Sequence, residues 1–216
     1  GYTRTRNNQI ITGANKAFRT KAVPWTLVNA SLNLYSAPCT WLPARVLYDD
    51  TDLFPYADLH SLSTFTTDSI VPGPHHGFFF DPNAKLIYVR LNPKYGSLNP
   101  AQRVMMVSPP NGGGGSGKLI STASCANFTI NQLGSANVIF DGLTFETPGV
   151  AAICTKASDV TVQNCFFVGC RSAVYGLGDP TNPSTAINNV VVQYCEYTLF
   201  PAFADMCDEI DAAYAN

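Results

Sequence analysis

Three segments in the C-terminal half of the chain align without a gap: NVIFDGLTF from Asn137, DVTVQNCFF from Asp159 and NVVVQYCEY from Asn189. Each opens with Asn or Asp, sets apolar residues second and fourth, then places Leu or Cys seventh and an aromatic ninth. The first two starts, 137 and 159, lie 22 residues apart; the third follows 30 later, the excess matching the turn-rich insertion GDPTNPST. A unit this short cannot bury its own apolar face, so it must stack on copies of itself, and a period of roughly 20 to 30 residues marks a solenoid.

The pattern also assigns faces. Val138 and Phe140, Val160 and Val162, and Val190 and Val192 occupy alternate positions, so each pair shares one side of a strand and is expected to face inward. The phase then shifts by one residue at Gly142, Asn164 and Tyr194, making Leu143 and Phe145, Cys165 and Phe167, and Cys195 and Tyr197 the next inward set. A phase change that recurs at one repeat position predicts a corner in every coil. A further apolar run precedes each motif, namely NFTINQL, AAICTK and SAVYGLG, which gives two or three short strands per coil. Such coils stack into a parallel β-helix of about three recognisable turns, filled by ladders of like residues.

Composition agrees. Of 216 residues 46% are hydrophobic and only 13% charged, which excludes a disordered chain. Lys and Arg number 13 against 15 Asp and Glu, without a basic run, which argues against nucleic acid as a partner. No apolar stretch is long enough for a membrane-spanning helix, and the start, GYTRTRNNQ, lacks the apolar segment of a signal peptide. The chain is therefore expected to begin after any export signal. The loop from Ser108 to Lys118, SPPNGGGGSGK, is the natural dividing line. It separates residues 1–107, read as N-terminal coil and β-rich segment, from coils over 119–216 that are expected to continue beyond Asn216. The loop reads equally as a natural linker or an engineered one.

Those repeats resemble the right-handed parallel β-helix proteins related to pectate lyases. The front half adds to the resemblance: RVLYDDTDLFPYADL and GFFFDPNAKLIYVRLNPKYGSLNP are similar to a small β-rich segment that precedes or interrupts many carbohydrate-active β-helices, through Phe80, Asp81, Leu86, Tyr88, Val89, Arg90, Asn99 and Pro100. The resemblance implies an extracellular, secreted protein that cleaves polysaccharide in a groove along one face. Lyases of this kind generally use calcium held by carboxylates with an Arg or Lys base; the hydrolases use paired carboxylates. Neither set is complete in this chain.

The outward columns supply the candidate site. Asp141, Gln163 and Gln193 form one column; Thr144, Phe166 and Glu196 form the next, with Glu146 two places on. Strands stack about 4.8 Å apart, which puts Asp141 and Glu196 roughly 10 Å apart at Cα. That is near the carboxyl separation of about 6.5 to 9.5 Å in inverting glycosidases. Asp141, Glu196 and Glu146 are thus candidate catalytic carboxylates, and Gln163, Gln193 and Phe166 candidate sugar contacts. Solvated polar residues on an open sheet face are the competing reading.

Calcium takes six to eight oxygens, which three acidic clusters could supply: Asp49, Asp50 and Asp52; Asp179 with Asn182; and Asp205, Asp208, Glu209 and Asp211. Asp and Asn also populate turns for their own backbone hydrogen bonds. Asn29 and Asn127 begin sequons that would accept glycan in a secretory route. His60, His75 and His76 lack ligand spacing and read as loop histidines. Seven cysteines leave at least one unpaired or paired between chains; Cys165 and Cys195 share an inward position and read as stacked small hydrophobes, while pairing among Cys39, Cys125, Cys154, Cys170 and Cys207 stays open.

Two functions follow. One is an extracellular carbohydrate-active β-helix protein. The other is a non-catalytic module that binds, adheres or assembles through exposed coil ends.

Overall fold

In the computed structural model, strands predominate and the chain divides into two units with separate cores. The structure describes residues 10–49, 51–68, 70–91, 99–109, 128–132, 137–147, 151–155, 157–170, 172–176 and 187–198. One unit holds residues 15–107, and the other joins residues 10–14 to 108–198. The all-β expectation is therefore met; among the described residues the two α-helices have four and six residues.

Strand β1 (Ile10–Thr12) precedes the 15–107 unit in the chain but pairs in the other. The 15–107 unit runs α1 (Lys16–Arg19), β2 (Thr26–Asn29), β3 (Leu34–Pro38), β4 (Arg45–Tyr48), β5 (Thr51–Asp52), β6 (Phe54–Pro55), α2 (Leu59–Thr64), β7 (Thr66–Thr67), β8 (Val71–Pro72), β9 (Gly77–Asp81), β10 (Leu86–Arg90) and β11 (Met105–Ser108). Its main sheet has the order β2-β3-β10-β9-β6, beside a three-stranded sheet β11-β4-β5. The β9–β10 hairpin forms because Asp81 accepts the N–H groups of Asn83 and Ala84 at 2.8 and 3.0 Å, closing an Asx turn. Alternation along the hairpin then feeds two cores. Phe78, Ile87 and Val89 pack with Phe18, Val46, Leu53, Met105 and Val107. Phe79 and Tyr88 point the other way, against Leu34, Tyr56, Leu62 and Phe65.

Two arginines bind this unit together. Arg45 and Asp52 are both buried and form a two-pronged ion pair, its Nε donating to Oδ1 at 2.9 Å. Arg90 lies 3.8 Å over the Phe65 ring and donates to the carbonyls of Leu32 at 3.1 Å and Ser63 at 2.7 Å. It thereby satisfies backbone acceptors at the end of α2, where Phe65 turns left-handed with φ 52°.

The other unit contains β12 (Phe128–Gln132), β13 (Val138–Asp141), β14 (Thr144–Glu146), β15 (Ala151–Thr155), β16 (Val160–Gln163), β17 (Phe166–Val168), β18 (Ser172–Gly176), β19 (Val190–Gln193) and β20 (Glu196–Thr198). They form three parallel sheets: β12-β15-β18, β13-β16-β19 and β1-β14-β17-β20. The three apolar runs ahead of the motifs are β12, β15 and β18. Successive strands visit the three sheets in turn and then begin again. The registers reproduce the gapless alignment: Val138 pairs with Val160 and Val160 with Val190, while Phe145 pairs with Phe167 and Phe167 with Tyr197.

The phase changes are corners. Gly142, Asn164 and Tyr194 have φ of 68°, 53° and 54°, and the opening residues Asn137, Asp159 and Asn189 have φ of 61°, 57° and 56°. Asn and Asp tolerate this region better than other residues with a Cβ, which accounts for their place at the head of each motif. Between corners, Val160, Val162, Cys165 and Phe167 fill one core, with Phe145 and Phe167 stacked at 5.3 Å. Three inward assignments differ in the last repeat: Val190, Val192 and Tyr197 are exposed, because β19 and β20 are the outermost described strands of their sheets. Thr144, expected to face outward, is buried between Ile10 and Phe166 in the register.

Candidate functional site

Asp141 ends β13, Gln163 ends β16 and Gln193 ends β19, so the register places the three side chains in one column. The column is hydrogen-bonded along its length. Gln193 Nε2 donates to Gln163 Oε1 at 3.0 Å, and Gln163 Nε2 donates to Asp141 Oδ2 at 3.0 Å. The corner residue Asn164 adds its Nδ2 to Asp141 Oδ1 at 2.7 Å. Bonds from Asn164 first and Gln163 second hold the Asp141 carboxyl below its ordinary range. A second, shorter column joins Asn189 Nδ2 to Asp159 Oδ1 at 2.8 Å.

Asn164 and the Asp159–Asn189 pair were not among the residues picked out from the sequence as functional. Their signal was present, since corner residues of adjacent coils must lie one strand spacing apart, as side chains in the columns do.

The other candidates sit elsewhere. Glu196, Phe166 and Glu146 belong to β20, β17 and β14, in the sheet beyond the corner at 142, 164 and 194. Asp141 and Glu196 are thus on different sheets, and the two columns do not share one flat face. Phe166 is half-buried, flanked by Thr144 and Glu196 in register.

In the 15–107 unit, Asp52 is committed to Arg45, while Asp49 accepts from the Val104 N–H at 3.2 Å and faces Arg103 at 3.5 Å. Each carboxylate has its own guanidinium, which leaves little negative charge for a cation. Asp50 lies outside the described residues, as do Asn127, Asp179, Asn182 and the cluster from Asp205 to Asp211. Among the described residues no group of three or more His, Cys, Asp or Glu could hold a metal.

Asn29 is exposed at the end of β2, its Oδ1 accepting the N–H and hydroxyl of Ser31 at 3.0 and 2.8 Å. His75 packs against Phe65 at 5.2 Å, and the carbonyl of His76 accepts from the Phe54 N–H at 3.0 Å. Cys39, Cys165 and Cys195 are free thiols, and the Cys170 Sγ donates to the Phe145 carbonyl at 3.7 Å. Burial raises the Cys165 and Cys39 thiols above their usual range, as befits packing rather than nucleophilic chemistry.

The chain matches no protein-family model, no curated protein and no solved structure.

Proposed function

We propose that residues 108–198, with β1, form a right-handed parallel β-helix, and that the chain is an extracellular, non-catalytic module binding polysaccharide along the column Asp141, Gln163 and Gln193. Three parallel sheets visited in strict rotation support the β-helix. Parallel crossovers are right-handed in about 98% of cases, which supports the hand. Extracellular placement rests on the family resemblance and on the exposed sequon at Asn29.

The observation that carries binding over cleavage is the hydrogen-bonding of Asp141. Its carboxylate accepts from both Gln163 and Asn164, which lowers its proton affinity. Both of its oxygens are engaged by amides of the next repeat, an arrangement that suits a fixed contact better than a group exchanging a proton with substrate. Amides with set rotamers lose little entropy on meeting sugar hydroxyls, and each amide carries more donors and acceptors than the column uses.

The test is retardation of the protein in gels containing pectin-like, alginate-like or neutral glycans, with calcium or a chelator. Retention by at least one polymer is expected, reduced several-fold by Gln163→Ala, with no new ultraviolet absorbance or reducing ends. Unsaturated products would make the chain a lyase. Absence of retention across the panel would end the glycan reading, and dependence on calcium would restore the metal that the resemblance implies.

A further inference from the structure

The sheet of β13, β16 and β19 turns two columns of side chains outward on one face. Register and alternation place Ile139, Thr161 and Val191 in one column, and Asp141, Gln163 and Gln193 in the other, two residues further along each strand. Ile139 is 64% exposed and Thr161 half-buried, so the first column is a solvent-facing strip of methyl groups beside the amides. The charge of this face is one-sided. These three strands and the corner residues at both their ends include two acids, Asp141 and Asp159, and no base. Residues 128–198 as a sequence repeat the bias, setting Asp141, Glu146, Asp159, Asp179 and Glu196 against Lys156 and Arg171, neither of which belongs to β13, β16 or β19.

We infer that the glycan taken by this face is a neutral one, and that polymers of uronic acids are turned away. The inference rests on the glycan binding proposed above and adds its selectivity. A uronate brings a carboxylate with every sugar, and a carboxylate leaving water needs a cation or several N–H donors to offset its desolvation. The face supplies neither, because the amides of Gln163 and Gln193 each already donate to an oxygen of the column. Asp141, charged at neutral pH, would moreover oppose a second anion. A neutral sugar has the two features that this face can match. Its hydroxyls donate and accept as the amides do, and its C–H face covers the methyl groups of Ile139 and Thr161.

Affinity gels run on the intact chain, with chelator throughout, test it: glucan, mannan, xylan and galactan against polygalacturonate and alginate. The expected result is retention by at least one neutral polymer, unchanged by added salt because no ion pair forms, and several-fold weaker retention by both polyuronates. Asp141→Asn removes the opposing charge, and Ile139→Lys adds a cation at an exposed position where the fold tolerates it. Each should raise polyuronate retention several-fold at low salt with the circular dichroism of the parent, and the second keeps the test open should the first disturb the column. A parent retained as well by a polyuronate as by any neutral polymer, or polyuronate retention that either folded variant leaves unchanged, would overturn the inference while glycan binding stands. Absence of retention by every polymer would instead remove the binding itself, and the selectivity with it.

Discussion

The Asp141 carboxylate is held by residues of the next repeat. Gln163 and Asn164 lie 22 and 23 positions away in sequence, yet both donate to its carboxylate. The carboxyl is held below its ordinary value of 3.8, so its contribution to stability is complete above that value and disappears as pH falls through the folded-state value. The group is exposed to water, and the effect is correspondingly small. Asp141→Asn should lower the thermal midpoint at neutral pH, and the gap to the parent should close in acid. A gap that persisted in acid would mean the side chain acts through something other than its charge. Asp52 differs in kind, because its partner Arg45 is buried with it and the pair serves packing of β4 against β5.

At the scale of the element, the corner is the unit that repeats. Gly142 and Asn164 occupy it with residues suited to positive φ; Tyr194 occupies it with an aromatic. A left-handed conformation costs an ordinary residue about 1–2 kcal/mol, and Asn less. Tyr194→Asn should therefore raise stability by about 1 kcal/mol, read by urea denaturation at low protein concentration. Asn at this position would also place its amide one coil above Gln163, as Asn164 sits above Asp141. Unchanged or lower stability would assign the Tyr194 ring a packing role that its exposure does not suggest.

At the scale of the whole molecule, the long-range pairing of β1 is the feature with most consequence. Ile10, Ile11 and Thr12 extend the sheet of β14, β17 and β20, and Gly13 donates to the Glu146 carbonyl at 2.9 Å. Ile11 packs against the core containing Phe145 and Phe167. A fully buried Ile→Ala change costs about 2–5 kcal/mol, and Ile11 is only half-buried, so Ile11→Ala should cost about 1–2 kcal/mol. The loss should appear as faster exchange of the Thr144–Glu146 amides while those of β9 and β10 keep their protection. Equal loss in both places would mean the two units unfold as one.

Repetition alone made the strands of the three motifs, their register and their corner positions legible, because stacked copies must align like residues and a one-residue phase change has few backbone solutions. It also marked Asp141, Gln163 and Gln193 as one column, since in-register parallel strands bring equal repeat positions together. Only the tertiary structure decided that Glu196 lies beyond a corner from Asp141. The same holds for the covering of Thr144 by neighbouring strands, the pairing of Asp52 with Arg45, and the joining of Ile10–Thr12 to a strand more than a hundred residues downstream. These depend on how sheets meet in space and on contacts between distant segments, and periodicity carries information only about residues that share a repeat.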